Sequence, residues 1–139
     1  MKLSISLAFD GQCEAAFRFY ERCFGGTLGM MMTWGESPMA GDAPVEWRAK
    51  IFHATLAIGD AVLYGGDPLP GAYERPQGFH IQLDLTDPAR AETMYAAISA
   101  NGRVTMPLQT TFWAARCGSV VDRFGVSWTI NCEVAEAAR

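Results

Sequence analysis

The segment Met106–Asn131, MPLQTTFWAARCGSVVDRFGVSWTIN, decides the fold. It reads as a strand, a crossing segment at Phe112-Trp113, a second strand, a turn at Asp122-Arg123-Phe124-Gly125 and a closing strand. Gly125 stands where a hairpin turn calls for positive φ. Val126, Trp128 and Ile130 then alternate with Ser127, Thr129 and Asn131, the period of two expected of a strand buried on one face. Such a hairpin cannot bury its own apolar side. The rest of the chain has to supply partner layers.

Working outward, residues 3–9 alternate Leu3, Ile5, Leu7 and Phe9 with small residues and read as a strand. Ala15, Ala16, Phe19, Tyr20 and Cys23 then recur at helical spacing, predicting an amphipathic helix over 12–24 that stops at Gly25-Gly26. Leu28–Trp34 reads as a strand and Gly35–Pro44 as a loop long enough to suggest a functional segment. Trp47–Ile58 is a strand with His53, Thr55 and Ala57 on one face. A turn at Gly59-Asp60 leads to Ala61–Gly65, and the proline-rich Asp67–Gly78 is a connector. Phe79–Leu85 is a strand carrying His80, Gln82 and Asp84 on its polar side. Thr86 or Asp87 caps a second helix with Pro88 at its first position. That helix buries Ala91, Met94, Tyr95 and Ile98 and closes at Asn101-Gly102.

Both halves therefore read strand, helix, strand, strand, strand. Leu3 with Phe79, Ile5 with Ile81, Ala15 with Ala91, Phe19 with Tyr95 and Gly26 with Gly102 all lie 76 positions apart, without a gap. The later hairpins match at 63 (Ala57 with Val120) and 65 (Ala61 with Val126), which implies a second turn two residues longer. The expected fold is α+β: two tandem βαβββ modules, about 1–68 and 77–132, within a single domain 1–139. In each, the apolar strand face packs on its own helix. The opposite faces, with Ser4, Ser6, His53, Thr55 and Tyr64 in one module and His80, Gln82, Ser127, Thr129 and Asn131 in the other, are too polar for a sheet–sheet core. Curved mixed sheets lining a cleft with these faces would account for them.

Composition narrows the function classes. Hydrophobic residues make up 50% and charged residues 19% of the 139, a globular balance. The net charge is −4 and no Lys/Arg run occurs, so a nucleic-acid surface is not expected. The opening MKLSISLAFDG is too short and polar for a signal peptide or membrane span. Four cysteines, Cys13, Cys23, Cys117 and Cys132, show no metal-binding spacing and read as free thiols of a reducing cytoplasm. No Ser-His-Asp or Cys-His set and no phosphate-binding glycine loop can be assembled.

The repeated pattern resembles the glyoxalase/bleomycin-resistance/extradiol-dioxygenase superfamily, also called vicinal oxygen chelate. Leu7–Gly11 with Glu14-Ala15 and Phe19-Tyr20, then Phe24–Gly26, His53-Ala54, Ile58-Gly59 and Asp67, resemble its PhnB-like branch. Met106–Gln109, Thr111–Trp113 and Asp122-x-Phe124-Gly125-Val126-x-Trp128-x-Ile130-Asn131 are the most specific matches. In metal-dependent relatives each module contributes ligands from its first and last strands; the corresponding positions here are near Ser4, Tyr64, His80 and Thr129. Only His80 is a good ligand, whereas a catalytic divalent ion usually takes three protein donors. The resemblance therefore implies a small-molecule binder without catalytic metal or other cofactor. The alternative is a divalent-metal-dependent lyase/isomerase or dioxygenase. The branch is often labelled as a ubiquinone methyltransferase, yet nothing in the sequence looks like a methyl-donor site. Members commonly dimerise, and a homodimer is expected, with neither nucleic acid nor membrane as partner.

His80 is the candidate catalytic residue, as general base or anchor, against the plainer reading of a hydrogen-bonded wall histidine. Trp113, Gln82, Tyr64, Thr129, Asn131 and His53 are the candidate ligand-binding residues. Trp113 could stack on a flat ligand. Trp128, sharing parity with Val126 and Ile130, belongs to the core. Asp67 reads as a turn starter or a site residue, and Asp122 as the turn residue set by its spacing to Gly125.

Overall fold

In a computed structural model, which describes residues 1–134, the chain divides into two compact units, Met1–Glu74 and Arg75–Arg139. The first runs β1 (Ile5–Ala8), α1 (Cys13–Phe24), β2 (Thr27–Thr33), β3 (Ile51–Ile58) and β4 (Ala61–Gly66), with two short 3-10 turns, Ala40–Asp42 and Val45–Trp47, between β2 and β3. Its sheet has the order β1-β4-β3-β2, with β1 parallel to β4 and the other pairs antiparallel. The 35–44 loop expected from sequence is thus part of a longer 34–50 excursion, and β3 starts four residues later than the pattern at Trp47 suggests.

Helix α1 packs on β2 and β3 through a buried stripe that includes Ala16, Phe17, Phe19, Tyr20 and Cys23. Ala15, expected in the stripe, is exposed, and Phe17 takes its place. Gly65 makes that possible: a Cβ there would sit 2.6 Å from the Phe17 ring. Phe9 meets Phe17 edge-on with ring centroids 6.1 Å apart, and Tyr20 stacks on Phe24 at 6.2 Å, so the core of this unit is largely aromatic.

The second unit repeats the plan with β5 (Ile81–Leu85), α2 (Pro88–Ser99), β6 (Arg103–Gln109), β7 (Ala114–Val121) and β8 (Ser127–Glu133), in the order β5-β8-β7-β6. The Asp87 carboxylate accepts from Ala89 N at 3.0 Å and Pro88 opens α2, as the sequence predicts. Ala91, Met94 and Ile98 are buried with Val120, Trp128, Ile130 and Cys132. Trp128 is 1% exposed, and its indole N–H donates to Asp122 Oδ2 at 2.9 Å. The other Asp122 oxygen accepts from Phe124 N and Val126 N at 2.8 and 3.0 Å, so this carboxylate holds both the turn and a core tryptophan.

The strand registers extend the repeat and correct part of it. Ile5 pairs with Leu63 and Ile81 with Trp128, which fixes offsets of 76 on the first strands and 65 on the last. The 76 offset continues through the third element. A bulge sets Gly29 and Met30 against Thr55, and a matching irregularity sets Thr105 and Met106 against Ser119. On β3 and β7 the offset is 64 rather than 63, because Ala57 faces Val62 while Val121 faces Ser127. Leu56 therefore corresponds to Val120, both buried, and the second turn is one residue longer, not two. Its three-residue loop Arg123–Gly125 closes with Gly125 at φ 90°. Gly26 and Gly102 match as expected, for a shared reason. An added Cβ would lie 2.5 Å from Ala57 O in one and 2.6 Å from Val121 O in the other.

Candidate functional site

In the first unit the face turned away from α1 carries Ser6, Tyr64 and Thr55 in one row across β1, β4 and β3. Thr55 is committed to the bulge, its Oγ1 accepting from Met30 N at 2.9 Å. His53 lies with its ring 5.7 Å from that of Tyr64, the planes 32° apart, so two of the candidate residues stand together. A cavity of about 240 Å³ borders Ser6, His53, Phe52, Trp34, Gly66 and Pro68. A second, of about 340 Å³, lies at the start of α1 against Gly11, Glu14, Arg18 and Lys50.

Asp67 borders both cavities, yet its polar atoms are taken up by the fold. It is 2% exposed. Its Oδ1 accepts from Cys13 N at 3.0 Å, its Oδ2 from Ile51 N at 2.9 Å, and its carbonyl from Trp34 Nε1 at 2.7 Å. Burial pushes its pKa above the usual carboxylate value, against the opposing pull of the Ile51, Cys13 and Gly11 N–H groups and of Lys50. Asp67 thus supplies α1 with the cap that its N-terminal residue, Gln12, does not provide.

In the second unit the face away from α2 carries two cross-strand rows. Gln82, Thr129 and Ser119 form one; Asp84, Asn131 and Cys117 form the other. The hydroxyls of Ser119 and Thr129 are 2.8 Å apart and hydrogen-bonded. Asp84 Oδ1 accepts from Gln82 Nε2 at 2.9 Å and from Asn131 Nδ2 at 3.0 Å. Because a carboxylate can only accept, this bond fixes the orientation of the Asn131 amide. Among the described residues its Oδ1 is buried with no hydrogen-bond partner. Trp113 is 50% exposed, with Phe112 edge-on at 4.7 Å; burial pushes the Cys117 thiol up, against an opposing pull from the Trp113 indole.

Three of the candidates, Gln82, Thr129 and Asn131, are therefore gathered on one face, and Trp113 lies beside Cys117. Asp84 is the member that the sequence reading left out of its candidates, although it shares parity with Gln82. His80 precedes β5, is exposed, and takes no part in the Asp84 network. The registers align Ser4 with His80 and Tyr64 with Thr129, the positions near which the resemblance would put metal ligands. That donor set does not fit a divalent site: it contains one ring nitrogen, and the Thr129 hydroxyl is engaged by Ser119. Among the described residues no three His, Cys, Asp or Glu side chains gather elsewhere.

A family model described as 3-demethylubiquinone-9 3-methyltransferase matches residues 1–131. The chain belongs to this family. Its fold is shared by solved proteins of the glyoxalase/bleomycin-resistance/dioxygenase kind. Protein YjdN of Escherichia coli K12 is 32% identical, over 94% of this chain and 95% of its own length. The crystal structure of protein PA1353 from Pseudomonas aeruginosa is 41% identical and superposes with a TM-score of 0.87, covering 96% of this chain and 98% of that one. A putative 3-demethylubiquinone-9 3-methyltransferase, PhnB protein, from Bacillus cereus shares the fold at a TM-score of 0.79 and 19% identity, over 95% and 99% of the two chains. The repeat thus matches a known architecture, with two four-stranded mixed sheets and two helices.

Proposed function

We propose that this PhnB-like protein binds a small organic molecule on the polar face of its second sheet, and does so without a catalytic divalent ion. The observation that carries the reading is the Asn131 amide. Its orientation is fixed by Asp84, and its oxygen is buried without a partner. An unpaired buried acceptor costs about 1–3 kcal/mol, a cost that a ligand donor would offset. Gln82 and Thr129 on the same face, with Trp113 beside Cys117, add neutral hydrogen-bonding and stacking groups, which suit orienting a ligand rather than activating a metal-bound one. The homodimer and the cytoplasm belong to the same reading. Exposed Leu3, Met30, Phe79 and Phe112 support the first, and four free, buried thiols support the second. No helix among the described residues is long and apolar enough to cross a membrane.

Metal analysis of the purified protein, paired with a thermal-shift ligand screen, tests the proposal. The expected result is no stoichiometric divalent ion and at least one small molecule that raises the melting temperature. A binder at 100 times its dissociation constant adds about 2.7 kcal/mol. One tightly held divalent ion per chain, lost in His80→Ala, would overturn the metal-free reading in favour of a metal-dependent lyase/isomerase or dioxygenase.

A further inference from the structure

Asp84 is an exposed carboxylate prepared on one side only. Gln82 and Asn131 both donate to its Oδ1, while no described residue donates to its Oδ2. No cation lies within ion-pair distance of it among the described residues. Arg116, on β7 and so two strands from β5, is committed to Glu92 at 3.1 Å and to Thr110 at 2.9 Å. Two amide donors on a single oxygen fix the plane of the carboxylate without neutralising it. Across the same row stands the second acceptor, Asn131 Oδ1. It is 9% exposed as a residue and lacks any partner at the oxygen itself. The row ends at Cys117, and the Trp113 indole, half exposed, acts on its thiol, which puts an aromatic ring at that end of the row.

The available groups are thus acceptors, one of them charged, beside an aromatic rim. An anionic ligand would be repelled by Asp84, and a ligand with only acceptors would leave Asn131 Oδ1 as it is. A cation carrying N–H donors answers both, and its organic remainder can lie against Trp113, where an indole face also attracts positive charge. The shielding of Asn131 Oδ1 selects further. A donor reaches it only with a small adjustment of the surrounding side chains, which favours a slim head over a broad guanidinium or a fully alkylated nitrogen.

We infer that the ligand of this face is an organic primary amine whose ammonium group bridges Asp84 Oδ2 and Asn131 Oδ1, with its apolar part against Trp113. This rests on the proposed small-molecule reading and names the class of molecule bound.

Calorimetric titration with four probes of one shape separates the possibilities: benzylamine (protonated at neutral pH), benzyltrimethylammonium, benzyl alcohol and benzoate. Benzylamine is expected to bind at least tenfold more tightly than the other three. Asp84→Asn and Asn131→Leu should each weaken it at least tenfold. Asn131→Leu removes the unpaired acceptor, so its melting temperature should not fall, and a loss of binding then cannot be blamed on misfolding. Equal binding of benzyltrimethylammonium would reduce the selectivity to charge alone and overturn the bridging geometry. Unchanged benzylamine affinity in Asp84→Asn would remove the site from Asp84. Preferred binding of benzoate or benzyl alcohol, weakened by Gln82→Leu, would overturn the amine inference while leaving the small-molecule reading intact. If no probe of any charge binds and the thermal-shift screen also finds nothing, both fall together.

Discussion

Two aspartates do comparable work in the two units from different distances. Asp122 accepts from Phe124 N and Val126 N of its own turn and from the indole of the tryptophan six positions on. Asp67 reaches back 54 positions to Cys13 and 16 to Ile51. Replacing either by Asn leaves a backbone N–H facing an amide that cannot satisfy every donor, at a cost of about 1–3 kcal/mol; urea unfolding should show it as a lowered midpoint with an unchanged slope. For Asp67 the pH dependence has a definite sign. Burial raises the folded pKa, so the group stabilises the fold most below the ordinary carboxylate value and loses that contribution as pH rises through the folded one. The stability difference between wild type and Asp67→Asn should therefore change across that interval, and parallel pH curves would refute it. Burial likewise pushes the Cys13, Cys117 and Cys132 thiols up, so Ellman's reagent should react with them only after unfolding. Asp122 was legible in the sequence because its partners are local. Asp67 was not, since an Asp-Pro pair at a strand end looks the same whether it starts a turn or caps a distant helix.

At the level of elements, the repeat explains which small residues are fixed and which can vary. Gly25, at φ 70°, and Asn101, at φ 59°, occupy matching positions after α1 and α2. Both tolerate the left-handed region, Gly at no steric cost and Asn through its short polar side chain. Gly25→Asn should thus be nearly neutral, whereas Gly25→Ala should cost about 1 kcal/mol by thermal unfolding. Gly102→Ala is more severe, because a Cβ would press on the Val121 carbonyl; a loss of about 2 kcal/mol is expected. The existence and type of every strand and helix could be read from periodicity, but their edges could not. Phe79 and His80 fit the alternation of β5 yet lie before its first paired residue. The hairpin offset differs by one because Val120, as an apolar residue, matches Ala57 as readily as Leu56. Only the ladder register, which a one-residue slip would invert, distinguishes them. Phe17 shares the helical spacing of Cys13 and Tyr20, and the glycine at 65 on β4 leaves room for its ring.

For the molecule as a whole, the duplicated plan was legible because two ungapped copies of strand and helix constrain each other. The polar character of the sheet faces was legible as well, from parity alone. What parity cannot supply is the hydrogen-bond wiring on a face. It placed Gln82, Asp84, Thr129 and Asn131 among polar positions but did not show that Asp84 anchors two amides. It also gave His80 prominence for its chemistry, whereas the network forms without it. If no metal supports the fold, a chelator such as EDTA and the substitution His80→Ala should each leave the melting temperature within about 1 °C of the untreated protein, a shift of well under 1 kcal/mol. A drop of several degrees with EDTA would point to a bound ion.

The long reach of Asp67 has a consequence during synthesis. Helix α2 carries its own cap at Asp87 and can form as soon as it emerges. Helix α1 is made first but has no side-chain cap of its own, and the carboxylate that receives Cys13 N is 54 residues downstream. At about 5–20 residues per second, that interval lasts roughly 3–11 s. The first-made helix therefore waits, with its aromatic stripe uncovered, until nearly the whole first unit has left the ribosome. The nascent chain is most in need of a chaperone in that interval, and pausing translation just before codon 67 should lengthen it.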